Sequence, residues 1–211
     1  MPTRTYDQYC GIAAALDRVG DRWTLLVMRE LSFGDQRFTD LKQRLPGIAT
    51  NLLTERLRSL EEDGLVAQRE LPAPAARTVY TLTDEGRRVV PVLRALSAFG
   101  QRFLGEPPAD GVRPEMAVYS ALGSRLVDRV ASGGLELAVA FDLDGQHLWL
   151  EVEDGRLSRD DPGRAPDVRV TGTAVSVMRW VRGQSLAALD LEVTGSRTAQ
   201  HDLRRAFDLP A

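Results

Sequence analysis

Along residues 12–104 apolar side chains recur every three or four positions, in short separate blocks. Ile12 to Val19 is one amphipathic stretch, and Trp23, Leu26, Val27 and Leu31 share a face of a second. Phe38, Leu41 and Leu45 define a third helix, which Pro46-Gly47 must stop because proline lacks the amide hydrogen. The fourth block predicts a helix from about Thr50 to Asp63, closed by Gly64. The period then changes. Leu65 to Glu70 and Thr78 to Leu82 predict two strands, with Pro72 and Pro74 in the tip of the hairpin. Thr83-Asp84-Glu85 offers a capping hydroxyl and two acids to a long final helix lined by Val89, Val90, Leu93, Leu96, Phe99 and Phe103. Pro91 is expected to kink that helix.

Three prolines and two glycines in Gly105-Glu-Pro-Pro-Ala-Asp-Gly-Val-Arg-Pro114 predict a boundary, with one domain over 1–106 and a second over 107–211. Residues 115–130 have helical spacing, with Met116, Tyr119, Leu122, Leu126 and Val130 on one side. Leu135, Leu137, Val139 and Phe141 alternate with Glu136, Ala138, Ala140 and Asp142, the pattern of a half-buried strand. Asp144-Gly145 predicts a hairpin into Leu148, Leu150 and Val152, and Asp154-Gly155 another turn. Val168-Arg-Val-Thr is a third strand, Ala174 to Arg182 a helix, and Leu189, Leu191 and Val193 a fourth strand. A last helix runs from about Thr198 to Phe207. Strands and helices do not alternate regularly, so the class is α+β.

Composition adds little to the pattern, but charge adds something. With 211 residues, 43% hydrophobic and 27% charged, the chain is long enough for two small domains, each with its own core. No apolar run approaches the ~20 residues a membrane span needs, and the first residues lack the apolar core of a secretory signal. A single cysteine, Cys10, excludes an intrachain disulfide, and a cytoplasmic location is expected. The net charge of −3 hides an asymmetry: residues 1–104 hold 15 Lys/Arg against 13 Asp/Glu, and residues 105–211 hold 12 against 17. The first half therefore stays eligible for a local basic surface facing nucleic acid.

Three helices followed by a hairpin is the element order of a winged helix-turn-helix, in which the second helix of the motif enters the major groove. In the Thr50–Asp63 block, Leu53, Leu57 and Leu60 fall on one side. Asn51, Glu55 and Arg58 fall on the other, with Thr54 on the shoulder. Asparagine pairs bidentately with adenine, and arginine with guanine or a phosphate. Glu55 repels phosphate and is expected to accept from a cytosine amino group or to hold Arg58. Most surface helices have a polar outer face, so this one alone leaves DNA binding and mere solvation equally open.

The order of motifs decides further. Asp17-Arg-Val-Gly-Asp-Arg-Trp23, Arg37-Phe-Thr-Asp-Leu41, Leu45-Pro-Gly-Ile-Ala-Thr-Asn-Leu-Leu-Thr-Glu-Arg-Leu-Arg-Ser-Leu-Glu-Glu-Asp-Gly-Leu-Val66 and Tyr80-Thr-Leu-Thr-Asp-Glu-Gly86 closely resemble the HxlR family of winged-helix regulators over about residues 10 to 104. The resemblance implies a homodimer that binds an inverted-repeat operator in double-stranded DNA and pairs through the first and last helices of the domain. Where many members open the reading helix with Ser-Pro, this chain has Ala49-Thr50, so Thr50 is expected to cap it. By position, Arg37, Lys42, Arg69 and Arg77 are candidate phosphate contacts, each equally an ordinary solvated charge. Cys10 falls at the cysteine that opens the family motif. In some relatives that thiol senses oxidants or electrophiles, and a small packing residue at the dimer contact is the alternative.

The second half shows no catalytic constellation. His147 and His201 have no metal-spaced partner, and there is no glycine-rich phosphate loop and no Gly-x-Ser-x-Gly elbow. No enzyme activity, metal or cofactor is expected. From Leu135 to Phe207 the chain resembles sterol-carrier-protein-like domains, through Glu153-Asp-Gly-Arg-Leu157, Pro166-Asp-Val-Arg-Val-Thr171, Val181-Arg-Gly-Gln184 and Leu191-Glu-Val-Thr-Gly-Ser196. That resemblance implies an apolar tunnel for a fatty or sterol-like effector, with Phe141, Trp149, Met178, Trp180 and Leu186 as candidate lining residues. Trp149 alternates with Leu148 and Leu150, which directs it to a pocket or an interface instead of the main core. The competing reading is a lipid carrier or scaffold whose first domain only dimerises.

Overall fold

The apolar blocks of the first half become the buried stripes of short helices: α1 (Gly11–Val19), α2 (Thr24–Ser32), α3 (Phe38–Arg44) and α4 (Thr50–Glu62). The computed structural model describes residues 5–71, 77–108, 111–122, 125, 135–153, 156–159 and 161–211. They fall into two compact units, Met1–Leu93 and Arg94–Ala211. In the first, Val27, Met28, Leu31, Leu41, Leu45, Ile48, Leu53, Leu57 and Leu60 close one core, completed by Val66 and Leu82. The last two come from the antiparallel strands β1 (Val66–Leu71) and β2 (Arg77–Leu82), paired from Val66↔Leu82 to Leu71↔Arg77. The hairpin tip expected at Pro72 and Pro74 lies outside the described residues.

Two glycines mark where backbone must pass close. Gly47 has φ 92°, and a Cβ there would touch the Trp23 ring at 3.7 Å, so the ring packs over the turn between α3 and α4. Trp23 itself holds a left-handed conformation (φ 81°) as it opens α2, a costly geometry for a bulky residue. Gly86 is stricter. A Cβ would stand 1.9 Å from the Leu65 carbonyl oxygen, so no side chain fits. Beside it, the Thr83 hydroxyl donates to the Gly64 carbonyl (2.6 Å) and accepts from the Gly86 amide (3.0 Å), tying the end of α4 to the next helix.

That next helix is shorter than its sequence suggests. The expected long helix is divided into α5 (Asp84–Arg87) and α6 (Val90–Gln101) by a turn at Arg88-Val89. Pro91 does not kink it. The proline sits in the first turn of α6, where its missing amide hydrogen has no intrahelical partner to lose. None of the α6 residues is buried.

In the second unit a π-helix (Met116–Leu122) precedes β3 (Leu137–Leu143), β4 (Gln146–Glu153) and β5 (Arg156–Ser158). Then come β6 (Val168–Gly172), α7 (Ala174–Val181), a 3-10 turn (Leu186–Ala188), β7 (Leu191–Gly195) and α8 (Arg197–Phe207). The sheet order is β5-β4-β3-β6-β7, with β3 and β6 parallel and the other pairs antiparallel. The helix expected over 115–130 is described only as far as Leu122, so Leu126 and Val130 lie outside the described residues, as does Asp154-Gly155. Strand β5 was not legible from the pattern, being three residues long. Strand β3 corrects the expectation of a half-buried strand, since every residue from Leu137 to Phe141 is buried. The outer-face residues Ala138 and Ala140 are covered because Trp149, directly across from Ala140, packs on both.

Candidate nucleic-acid interface

Helix α4 presents two faces of opposite character. Leu53, Leu57 and Leu60 are buried, while Thr50, Asn51, Thr54, Glu55 and Arg58 are exposed. Asn51, Thr54 and Arg58 follow one another at three and four residues, so they stand on one ridge. The first turn differs from the expectation. Ala49 occupies the cap position with no side-chain hydrogen bond, and Thr50 is already helical, so Thr50 does not cap. Its carbonyl instead accepts from the Thr54 hydroxyl at 3.0 Å, which leaves the leading amides of α4 without a side-chain partner from the cap. A helix start whose cap residue offers no side-chain bond suits a phosphate oxygen. Glu55 does not hold Arg58, as was one expectation. It lies 3.5 Å from Arg56, and Arg58 pairs with Glu62 at 3.4 Å while staying 71% exposed.

The four candidate phosphate contacts part company. Arg77 is exposed at the start of β2. Arg37 opens α3, with its amide donating to Asp40 (3.1 Å) and its guanidinium 3.3 Å from the same carboxylate. Arg69 on β1 pairs with Asp35, which pins the strand to the loop before α3. Lys42 turns inward and donates to the Ile48 carbonyl, across the turn that leads into α4. It braces the turn between α3 and α4.

Sequence reading missed three tertiary links. Glu30 is fully buried and bound by Arg29 (2.5 Å) and, at 4.0 Å, Arg44, which joins α2 to α3. Its place three residues after Val27, on the apolar face, was the available signal. Arg56 pairs with Asp21 from the loop before α2. Gln36 exchanges both backbone bonds with Tyr80 (3.1 and 2.7 Å), adding a one-residue third strand to the hairpin. Nothing local announces such a pairing. Burial, then the nearby Glu61 charge, pushes the Tyr80 phenol up.

Cys10 is exposed at the start of α1, and the backbone amides of Ala13 and Ile12 hold its thiol below the ordinary cysteine value. Large apolar side chains also stay exposed: Tyr6, Tyr9, Ile12, Leu16 and Val92 in the first unit, and Leu96, Phe99 and Phe103 in the second.

The candidate lining residues of the second unit do not gather in one place. Phe141 lies across from Leu148, and Trp149 across from Ala140, so the pleat sends them to opposite sheet faces. Trp180 is fully buried and its indole donates to the Pro210 carbonyl at 2.9 Å, which fixes it as core. Met178 and Leu186 are half-buried. Trp149 buries its indole nitrogen without a hydrogen bond and meets His147 edge to face at 5.4 Å. His147 (2.5 Å) and Arg169 (2.5 Å) clamp Asp142, which holds its carboxyl below the usual range. Among the described residues no cluster could hold a metal ion, and no helix is long and apolar enough to cross a membrane.

A family model described as HxlR-like helix-turn-helix matches residues 18–107. Among curated proteins, an HTH-type transcriptional regulator of Methanothermobacter thermautotrophicus is 36% identical over 98 residues, 46% of this chain and 75% of its own. The HTH-type transcriptional regulator YodB of Bacillus subtilis is 31% identical over 102 residues, 48% of this chain and 89% of its own. The solved structure of reduced YodB covers 48% of this chain and 100% of its own at 28% identity, with a TM-score of 0.41.

Proposed function

We propose a mode of action from one premise, that the chain belongs to the HxlR-like helix-turn-helix family of DNA-binding transcriptional regulators. In this reading residues 1–106 bind DNA and form a homodimer, and each protomer lays α4 into the major groove of one half of an inverted repeat. Asn51, Thr54 and Arg58 read base edges, the leading amides of α4 and Arg77 engage phosphates, and Lys42 fixes the angle at which α4 leaves the turn. The observation that carries the proposal is the polar ridge of α4, exposed opposite a completely buried leucine stripe. Exposed apolar side chains on α1 and α6 supply the dimer contact. Water-facing Ile12 at 73% and Phe99 at 57% are costly in a monomer and gain from being covered.

Residues 107–211 act as the effector domain, of sterol-carrier-like type. A small apolar ligand there changes DNA affinity by binding the two states of the dimer unequally. No catalytic step enters this proposal. The test is a gel shift with the full chain on its own upstream DNA, alongside its mass in solution. A dimer that shifts one fragment and yields a footprint of two half-sites supports it, and no shift at low salt overturns it. Cys10 supports a second reading, a thiol switch, because it is exposed and its thiol is lowered. In that case diamide abolishes the shift for the native chain and leaves Cys10→Ser unaffected. An equal response of both excludes the thiol.

A further inference from the structure

Asp21-Arg22-Trp23 is the bend by which the chain enters α2, and both of its ends are tied to the reading helix or to the turn before it. Asp21 pairs with Arg56 of α4. The Trp23 ring packs over Gly47, where a Cβ would touch it at 3.7 Å, in the turn between α3 and α4. Lys42 braces the same turn by donating to the Ile48 carbonyl. The bend is held in a costly form, with the bulky Trp23 at φ 81°.

Between the two anchors stands Arg22, exposed. It forms no ion pair and no side-chain hydrogen bond among the described residues. Its neighbour Asp21, the acid that would otherwise hold it, is paired with Arg56. The Arg22 guanidinium lies over the Trp23 ring, 5.9 Å from the centre, within reach of a cation–π attraction. The bend thus carries one neutralised acid and one cation facing water, on a base fixed to α4.

In a helix-turn-helix the elements that flank the reading helix meet the DNA backbone while that helix lies in the groove. A cation held beside the turn that leads into α4 is placed to meet a phosphate at the edge of the groove. Arginine's planar fork matches two phosphate oxygens. The ring beneath it keeps the side chain near that position beforehand, so less freedom is lost on binding.

We propose that Arg22 is a phosphate clamp, which holds one backbone phosphate beside each half-site and sets the register of α4 in the groove through the Asp21–Arg56 and Trp23–Gly47 links. The proposal rests on the reading of α4 as the helix that enters the major groove, and it adds a contact outside that helix and the hairpin.

Fluorescence anisotropy of the full chain on its operator duplex, recovered from its own upstream DNA, tests the clamp at several salt concentrations. Arg22→Gln should bind about tenfold more weakly at every sequence, with a salt slope lower by about one for each bound protomer. Its urea midpoint should match the native one, because the side chain is exposed. Arg22→Lys should recover part of the loss, by restoring the charge without the fork. Neutral methylphosphonate, replacing the backbone phosphates one at a time, locates the contact. The native chain should weaken at one phosphate in each half-site where Arg22→Gln does not. A native chain that holds no operator overturns the clamp and the reading of α4 together. Equal binding by the native chain and Arg22→Gln, or no phosphate whose loss only the native chain feels, overturns the clamp and leaves α4 standing. A loss confined to one base pair moves Arg22 to the bases, and a lowered urea midpoint with an unchanged salt slope makes it a structural residue; either overturns the proposal.

Discussion

Arginine does opposite work in the two units. In the first, Arg58 and Arg77 stand in water, one on the ridge of α4 and one at the start of β2. In the second, Arg94 and Arg159 are half-buried, and burial, then the charge of Arg94, lowers the pKa of Arg159 to about 10. An exposed cation costs little to hold and gains from a polyanion mainly by releasing its counterions. A half-buried one is held by neighbours in its own unit, as the Arg159 guanidinium is over the Tyr119 ring. The contrast separates cations that face solvent from cations packed among neighbours of their own unit.

The largest expected effect lies in the scaffold beneath the reading surface. Gly86→Ala places a Cβ against the Leu65 carbonyl and should cost about 3 kcal/mol, read as a lower urea midpoint with an unchanged slope. An unchanged midpoint would mean that the junction of α4, β1 and α5 is looser than its geometry. Arg58→Ala comes next. It should lose about tenfold to a hundredfold in discrimination at one base position while leaving the urea midpoint alone, since the side chain packs against nothing buried. Arg77→Ala should weaken binding evenly across sequences and reduce the salt slope by about one. Sequence-selective loss at Arg77 would move it from the backbone to the bases and blur the contrast with Arg58.

The smallest effect belongs to the second unit. Asp142 has a folded pKa below its ordinary value, chiefly through His147 and then Arg169, so its stabilisation is full above the ordinary carboxylate range. It is lost as pH falls through the lowered folded value. Asp142→Asn should therefore be less stable than the native chain near neutrality and converge with it in acid. A gap that widens on acidification would contradict the clamp.

Much of the first unit was legible because its signals are local. Leucines at helical spacing, Pro46-Gly47 and the Thr83 cap each act within a few residues, and the buried and exposed faces of α4 follow from them. The first turn of α4 was misread because threonine is a good cap in general, yet here the chain bends one residue earlier, at Ala49. The α5–α6 break escaped because apolar spacing continues across Arg88-Val89. Glu30, Gln36 and Arg56 take their roles from residues distant in sequence, as Lys42 does from a turn its spacing does not reveal. In the second unit alternation set Trp149 apart from Leu148 and Leu150, but Phe141 and Trp149, grouped as lining of one tunnel, stand on opposite sheet faces. The pattern gave no hint of the hydrogen bond from the Ser97 hydroxyl to the Ser120 carbonyl, which ties α6 to the π-helix.

The central claim is that the ridge of Asn51, Thr54 and Arg58 reads bases. Its most direct test is a single-base substitution scan of the bound operator, by fluorescence anisotropy at several salt concentrations, with the native chain and Arg58→Ala. The account predicts that Arg58→Ala loses discrimination at one position, repeated symmetrically in both half-sites, and keeps most of the native salt slope. A uniform loss at every position with a shallower slope would place Arg58 on the phosphates and contradict the assignment of this ridge to the bases.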